Sequence, residues 1–259
     1  MTRWKGLGVA AVAALAFVAV KVLPWAFGFA GGKYLYETVA GPSAPKALTT
    51  AEVDAEIQKQ DFQILKAIAQ EFPDDYDALL RKIAVIASTG NEQQVRDTTR
   101  AAVADLRRKY APLLPSAPDR GASEALSAQL DALNHVMARE TPATCNNYLR
   151  NGPDAISAPG HDFLVDLDRI GATLFHAFGA AKSSGLPATE PSEEDWSLVA
   201  GAFTKGGGTL AEMDAISNLN HDFEGLCPAV AKFYAAALSL QGEPGRRIKT
   251  ALLSATAEN

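Results

Sequence analysis

The sequence predicts an all-α protein, with an N-terminal hydrophobic anchor helix followed by a multi-helix bundle. Along most of the chain, apolar residues recur every three or four positions, which is the period of one face of an α-helix. Capping residues, glycines and prolines separate these segments and mark helix starts and ends. Alternating apolar and polar runs and clusters of β-branched residues, the usual marks of strands, are missing from the sequence. We therefore expect a bundle of about nine helices after the N-terminal segment.

The first element is a hydrophobic segment that predicts membrane targeting. Arg3 and Lys5 precede residues 7–30, which are uncharged except for Lys21. As one helix, this segment would be roughly 36 Å long, more than the roughly 30 Å hydrocarbon core of a bilayer. The two N-terminal cations would then stay in the cytoplasm. We expect residues 1–32 to be a single-pass anchor in a bacterial inner membrane, with the C-terminal part of the chain in the periplasm.

A cleaved signal peptide is the alternative for the same segment. Lys21 would lie near the middle of a membrane-spanning helix, where a charge costs about 3 kcal/mol, and Pro24 would interrupt that helix. Gly28 and Ala30 are small residues of the kind that precede a cleavage site. Both interpretations export the rest of the chain, but cleavage would release it into the periplasm.

The next elements are a tether and an N-terminal helical subdomain. Residues 33–48 are the tether, because glycine and proline cluster there and break helices. Thr49–Glu52 has the pattern of a capping box, and apolar residues then keep a helical spacing up to Phe72. Two further amphipathic helices complete the subdomain, residues 49–111.

A Pro-rich linker, residues 112–120, is the best boundary for a division into two helical subdomains, because its three prolines remove amide donors. Residues 121–259 then form the C-terminal helical subdomain. We expect a strongly apolar helix through Phe163–Phe178 at its centre. Further helices are predicted to start at Ser192 and at the capping box Thr209–Glu212.

The two cysteines, Cys145 and Cys227, predict one disulfide. Both lie in the part of the chain that either N-terminal interpretation exports, and thiols are normally oxidised in pairs outside the cytoplasm. The alternative is a cytosolic protein with two buried free thiols. The disulfide would join the middle of the chain to a segment near its end.

Composition and charge exclude several classes of function. The apolar share of 47% and the charged share of 21% are those of a globular protein and exclude a disordered chain. The formal net charge is −6, and every acidic residue follows residue 36, so the exported part is acidic. An acidic domain without a basic stripe repels phosphate backbones, so we expect no nucleic-acid partner. The glycines before Thr209 do not follow a strand or have the order of a phosphate-binding loop. No cofactor is expected.

One candidate polar site comes from a repeated tripeptide. Histidine, aspartate and phenylalanine follow one another twice, and if the two pairs met they could bind zinc or act as a base with its orienting carboxylate. The alternative is that these polar residues cap helix ends while the two phenylalanines enter the core. No two histidines have the spacing of metal ligands on one helix face, so we predict no metal site. The candidate residues are His161, Asp162, His221 and Asp222.

A second candidate is a polar and aromatic cluster beside Cys145, formed by Asn146, Asn147 and Tyr148, which could be an interaction surface. The alternative is helix capping together with a core tyrosine. The sequence contains no nucleophile motif of a hydrolase, so catalysis is the less favoured class. The leading hypothesis is a noncatalytic, membrane-anchored protein that binds a protein partner in the envelope. The alternatives are an extracytoplasmic hydrolase of cell-wall material and a secreted binder of a small ligand.

Overall fold

The computed structural model describes residues 48–60, 62–88, 92–218 and 220–257. Every regular element in these residues is helical, which confirms the all-α class for this part of the chain. Two 3₁₀ helices, Ala111–Ser116 and Gly152–Ala155, follow the fourth and sixth α-helices. The α-helices are α1 (Thr50–Lys59), α2 (Gln63–Glu71), α3 (Pro73–Ala87), α4 (Glu92–Tyr110), α5 (Asp119–Arg139), α6 (Pro142–Asn151), α7 (His161–Ser184), α8 (Glu193–Lys205), α9 (Leu210–Ser217), α10 (Leu226–Ser239) and α11 (Gly242–Ala257).

The predicted anchor or signal segment, residues 1–32, lies outside the described residues, as do residues 33–47 of the predicted tether. Among the helices that the structure describes, none is long and apolar enough to cross a membrane.

The helix that the apolar spacing extends to Phe72 is in fact two helices. Gln60 has an extended backbone, with φ of −82° and ψ of 153°, and so ends α1. The carboxylate of Asp168 in α7 then accepts hydrogen bonds from the backbone amides of Gln63 (2.7 Å) and Ile64 (3.1 Å). These amides begin α2 and have no partner within their own helix, so a residue distant in sequence provides the cap. The apolar period continues through the break because both helices face the same core.

Helix α7 lies at the centre of the described fold, as its apolar sequence predicts. It packs against α2, against α5 and against the 3₁₀ helix 111–116. Leu174, Phe175, Ala177 and Phe178 have no exposed surface, and the buried residues along the whole helix extend around more than half of its circumference. A helix that is apolar on most of its circumference has to be covered on most sides, and here these three elements cover it.

The predicted linker is largely helical and packed. Ala111 and Leu114 of the 3₁₀ helix are buried, and the segment contacts both α7 and α11. Buried apolar residues from both sides of residues 112–120 belong to one hydrophobic cluster. The division into subdomains at 112–120 stays a prediction, and it would have to separate two parts that share this cluster.

Helix α11 joins several segments through basic residues near its start. The guanidinium of Arg246 is buried and donates to the carbonyl oxygens of Pro115 (2.9 Å) and Ala117 (3.4 Å). Arg247 binds the carboxylate of Asp195 through two hydrogen bonds of 2.8 and 2.9 Å. Since buried carbonyls and carboxylates need donors, these cations hold the 3₁₀ helix and α8 against α11.

Candidate functional site

The first turns of α7 bring several of the sequence-predicted residues to one end of the described fold. Phe163 is buried, and its ring packs edge-on against that of Tyr148 in α6, with centroids 5.9 Å apart. One turn earlier in α6, Cys145 forms a disulfide with Cys227 in the first turn of α10. The segments that carry both predicted clusters therefore meet around Phe163 and the disulfide.

The buried side chain of Asn146 connects α6 to the turn before α10. It is buried, and its amide nitrogen donates to the backbone carbonyl oxygens of His221 (3.0 Å) and Phe223 (2.9 Å). These bonds hold the turn before α10 against α6, next to the disulfide. Tyr148 is also buried, whereas Asn147 is exposed and accepts a hydrogen bond from Asn151. Of the proposed interaction surface, Asn147 is therefore the residue whose side chain faces solvent.

The two predicted His-Asp pairs occupy different kinds of position. His161 and Asp162 are exposed at the start of α7, where Asp162 accepts a hydrogen bond from Arg139 at 3.1 Å. His221 is half-buried in the turn before α10, and Asp222 is exposed beside it. Within the described ranges, the structure contains no group of three or more His, Cys, Asp or Glu side chains that could hold a metal ion.

The histidine-carboxylate pairs that the structure does form are different ones. Nδ1 of His135 in α5 lies 2.8 Å from Oδ2 of Asp166 in α7, and both side chains are about one-fifth exposed. Nδ1 of His176 lies 2.9 Å from Oε1 of Glu71, at the end of α2. Sequence reasoning missed both pairs because their members are 31 and 105 positions apart, so no local spacing connects them.

The pair His135–Asp166 has the geometry of a base with its orienting carboxylate. A carboxylate bound at Nδ1 favours the tautomer whose Nε2 can accept a proton. The rings of His135 and Tyr148 both pack on Phe163, with centroids 6.2 and 5.9 Å from its own. Tyr148 is not a nucleophile at neutral pH, because burial raises the pKa of its phenol above the usual range. His135 with Asp166 thus has the geometry of a general base, which is one of the groups that hydrolysis requires.

The same pair is also the middle rung of a regular structural feature, which we call the α5–α7 ion ladder. The spacing of the charged residues places each set on one face of its helix. Each rung joins opposite charges when the histidine is protonated, and the exposed rungs are worth a few tenths of a kcal/mol to about 1 kcal/mol each. The rungs are Asp131–Arg169 (2.7 Å), His135–Asp166 (2.8 Å) and Arg139–Asp162 (3.1 Å).

In comparisons with known proteins, no protein-family model, no curated protein and no solved structure matches the chain.

Proposed function

We propose that the chain is a membrane-anchored protein of the bacterial envelope, whose helical domain lies in the periplasm and acts as a noncatalytic protein-interaction module. The observation that carries the proposal is the disulfide Cys145–Cys227. Both cysteines are 1% exposed, and they are 82 positions apart in the sequence. The bond between them joins α6 to α10. Disulfides of this structural kind persist in oxidising compartments and are rare in the cytosol. The hydrophobic segment 7–30 supplies a route to such a compartment.

The test is the intact mass of the natively expressed protein, measured in membrane and soluble fractions with and without reduction and thiol alkylation. A full-length mass in the membrane fraction, with both thiols blocked until reduction, is the expected result. A mass that lacks about thirty residues would favour the secreted ligand-binder. Cysteines that alkylate freely in the full-length protein would refute the periplasmic placement.

Two observations support interaction rather than catalysis. The ion ladder accounts for the histidine-carboxylate pair on α5 and α7 as a contact between helices. In addition, Leu198 on α8 is 50% exposed and Leu210 at the start of α9 is 78% exposed, and both apolar side chains are accessible to a partner protein. We expect a photo-crosslinker at position 210 to capture a defined envelope protein. We expect L198S to weaken that crosslink without changing the melting temperature.

An extracytoplasmic hydrolase is the second candidate, and His135–Asp166 is the observation that favours it. In this alternative, Nε2 of His135 removes a proton from the attacking water. The purified full-length protein would then release soluble fragments from cell-wall glycan, and H135Q would abolish that release. The matched control is R139Q, which removes the neighbouring rung of the ladder and leaves the base in place. Equal release by the wild type and H135Q would exclude this role.

A further inference from the structure

The described domain begins at one end of helix α3. The backbone amide of Leu48 donates to the hydroxyl of Ser88, just past the end of α3, at 3.0 Å. Further along, the hydroxyl of Tyr76 donates to the carboxylate of Asp54 at 2.8 Å, so α1 and α3 run antiparallel. The chain coming from the N-terminal hydrophobic segment therefore enters the domain at the C-terminal end of α3.

The exposed face of α3 changes character along its length. Asp74 and Asp77 are exposed near its start, whereas Arg81, Lys82 and Val85 are exposed near its end. Positions 81, 82 and 85 lie within about 100° of one another around the helix, so they form one surface. We call these three residues the α3 patch.

The α3 patch combines charges that suit its position in the helix with one exposed apolar side chain. Acidic residues at a helix start and basic residues at its end are both favoured by the helix dipole. Val85, however, is 70% exposed, although it lies in a helix that buries Ile83, Ala84 and Ala87 beside it. An exposed apolar side chain flanked by cations is compatible with a weak contact to anionic lipid headgroups.

The tether limits how far this end can lie from a membrane. If residues 7–30 are inserted in a bilayer, residues 31–47 connect them to Leu48 and span at most roughly 60 Å when fully extended. The α3 patch is thus held at a high effective concentration next to the membrane, which lets a weak contact form.

We propose that the α3 patch rests on the anionic lipid headgroups of the bilayer that holds the N-terminal segment, with Arg81 and Lys82 at the phosphates and Val85 in the interfacial region. The inference depends on the anchoring that is part of the proposed function. Two cations near an anionic surface contribute about 1 kcal/mol each, which is too little for binding without an anchor. Near this end the carboxylate of Glu52 accepts from the amide and hydroxyl of Thr49, and Asp77 lies one turn before Arg81 on the same face of α3.

The experiment uses the full-length protein in vesicles that contain phosphatidylglycerol and a lipid with a spin-labelled headgroup. In V85C the introduced thiol can be labelled with a fluorophore, because the native cysteines are joined in the disulfide. L210C, at a residue even more exposed and in a helix that packs on α10, is the matched control. We expect quenching at position 85 to be about threefold stronger than at position 210 and to fall in about 0.5 M salt. We also expect R81Q/K82Q in the V85C background to remove most of the difference.

Two different failures can be told apart by extracting the vesicles with alkaline carbonate. If the protein leaves the vesicles, anchoring itself is wrong, and the proposed function falls together with the inference. If the protein stays in the vesicles but positions 85 and 210 are quenched equally, anchoring holds and the docked orientation is refuted. Quenching at position 85 that R81Q/K82Q leaves unchanged would also refute the headgroup contact.

Discussion

Loss of the disulfide is expected to be the largest single destabilisation in the described domain. Cys145 and Cys227 are separated by 82 positions, and closing a loop of that length in the unfolded chain corresponds to about 4.5 kcal/mol in the chain-entropy treatment. Replacement of both cysteines by alanine removes this constraint and also two buried sulfur atoms. With an m-value of about 3 kcal/mol per molar urea, the unfolding midpoint should fall by about 1.5 M.

The assay is urea unfolding of the full-length protein in mild detergent, followed by far-ultraviolet circular dichroism. C145A and C227A should each unfold at the same midpoint as the double variant, because either substitution breaks the same bond. The reduced wild type should match all three. A midpoint that falls by less than about 0.3 M, or about 1 kcal/mol, would refute the reasoning, because the loop constraint would then not determine the stability.

Two further predictions concern buried contacts of other helices. Hydrogen bonds from Arg247 lower the pKa of Asp195, so its carboxylate stabilises the fold above the unfolded pKa of about 3.9, and that contribution is lost as the pH falls through the lower folded pKa. In chemical denaturation, D195N should therefore have a free energy of unfolding about 1 to 3 kcal/mol below that of the wild type at pH 7. This difference should be the same at pH 5 and should shrink below about pH 4, and a difference that does not depend on pH would contradict the prediction. In G179A the new Cβ would lie 1.9 Å from Oε2 of Glu71, whereas nothing lies within 4 Å of a Cβ at Gly201. We expect G201A to stabilise the protein by up to about 1 kcal/mol in thermal melts and G179A to gain less or to destabilise it; equal gains would show that Glu71 moves aside freely.

Local sequence signals predicted several helix starts correctly. The capping boxes at Thr49–Glu52 and Thr209–Glu212 are present with both of their reciprocal hydrogen bonds, and a third begins at Ser192, where the sequence predicts a helix start. These contacts involve residues three positions apart, so the sequence order alone is sufficient to define them. The central position of α7 was predictable for a similar reason, since the apolar circumference of a helix can be read from its own residues.

The histidine–carboxylate contacts and the cap of α2 were not predictable in this way. Asp168 caps α2 from more than a hundred positions away, and His135 finds Asp166 across a helix interface. Which histidine meets which carboxylate depends on helix direction and register, which are consequences of packing. The repeated tripeptide indicated His161 and His221 because it is a local pattern. The pairs His135–Asp166 and His176–Glu71 correspond to no local pattern in the sequence.

The α5–α7 ion ladder shows what such a long-range pair can do for the fold. Asp131 and Arg139 face charges of opposite sign on α7, and His135 faces Asp166, only when the two helices are antiparallel and in this register. A shift of one turn would place Asp131 opposite Asp166 and bring two carboxylates together, which is unfavourable. The close packing of apolar side chains between the two helices also favours a single register. The ladder as a whole therefore adds to the preference for this register, and such a contribution requires no substrate.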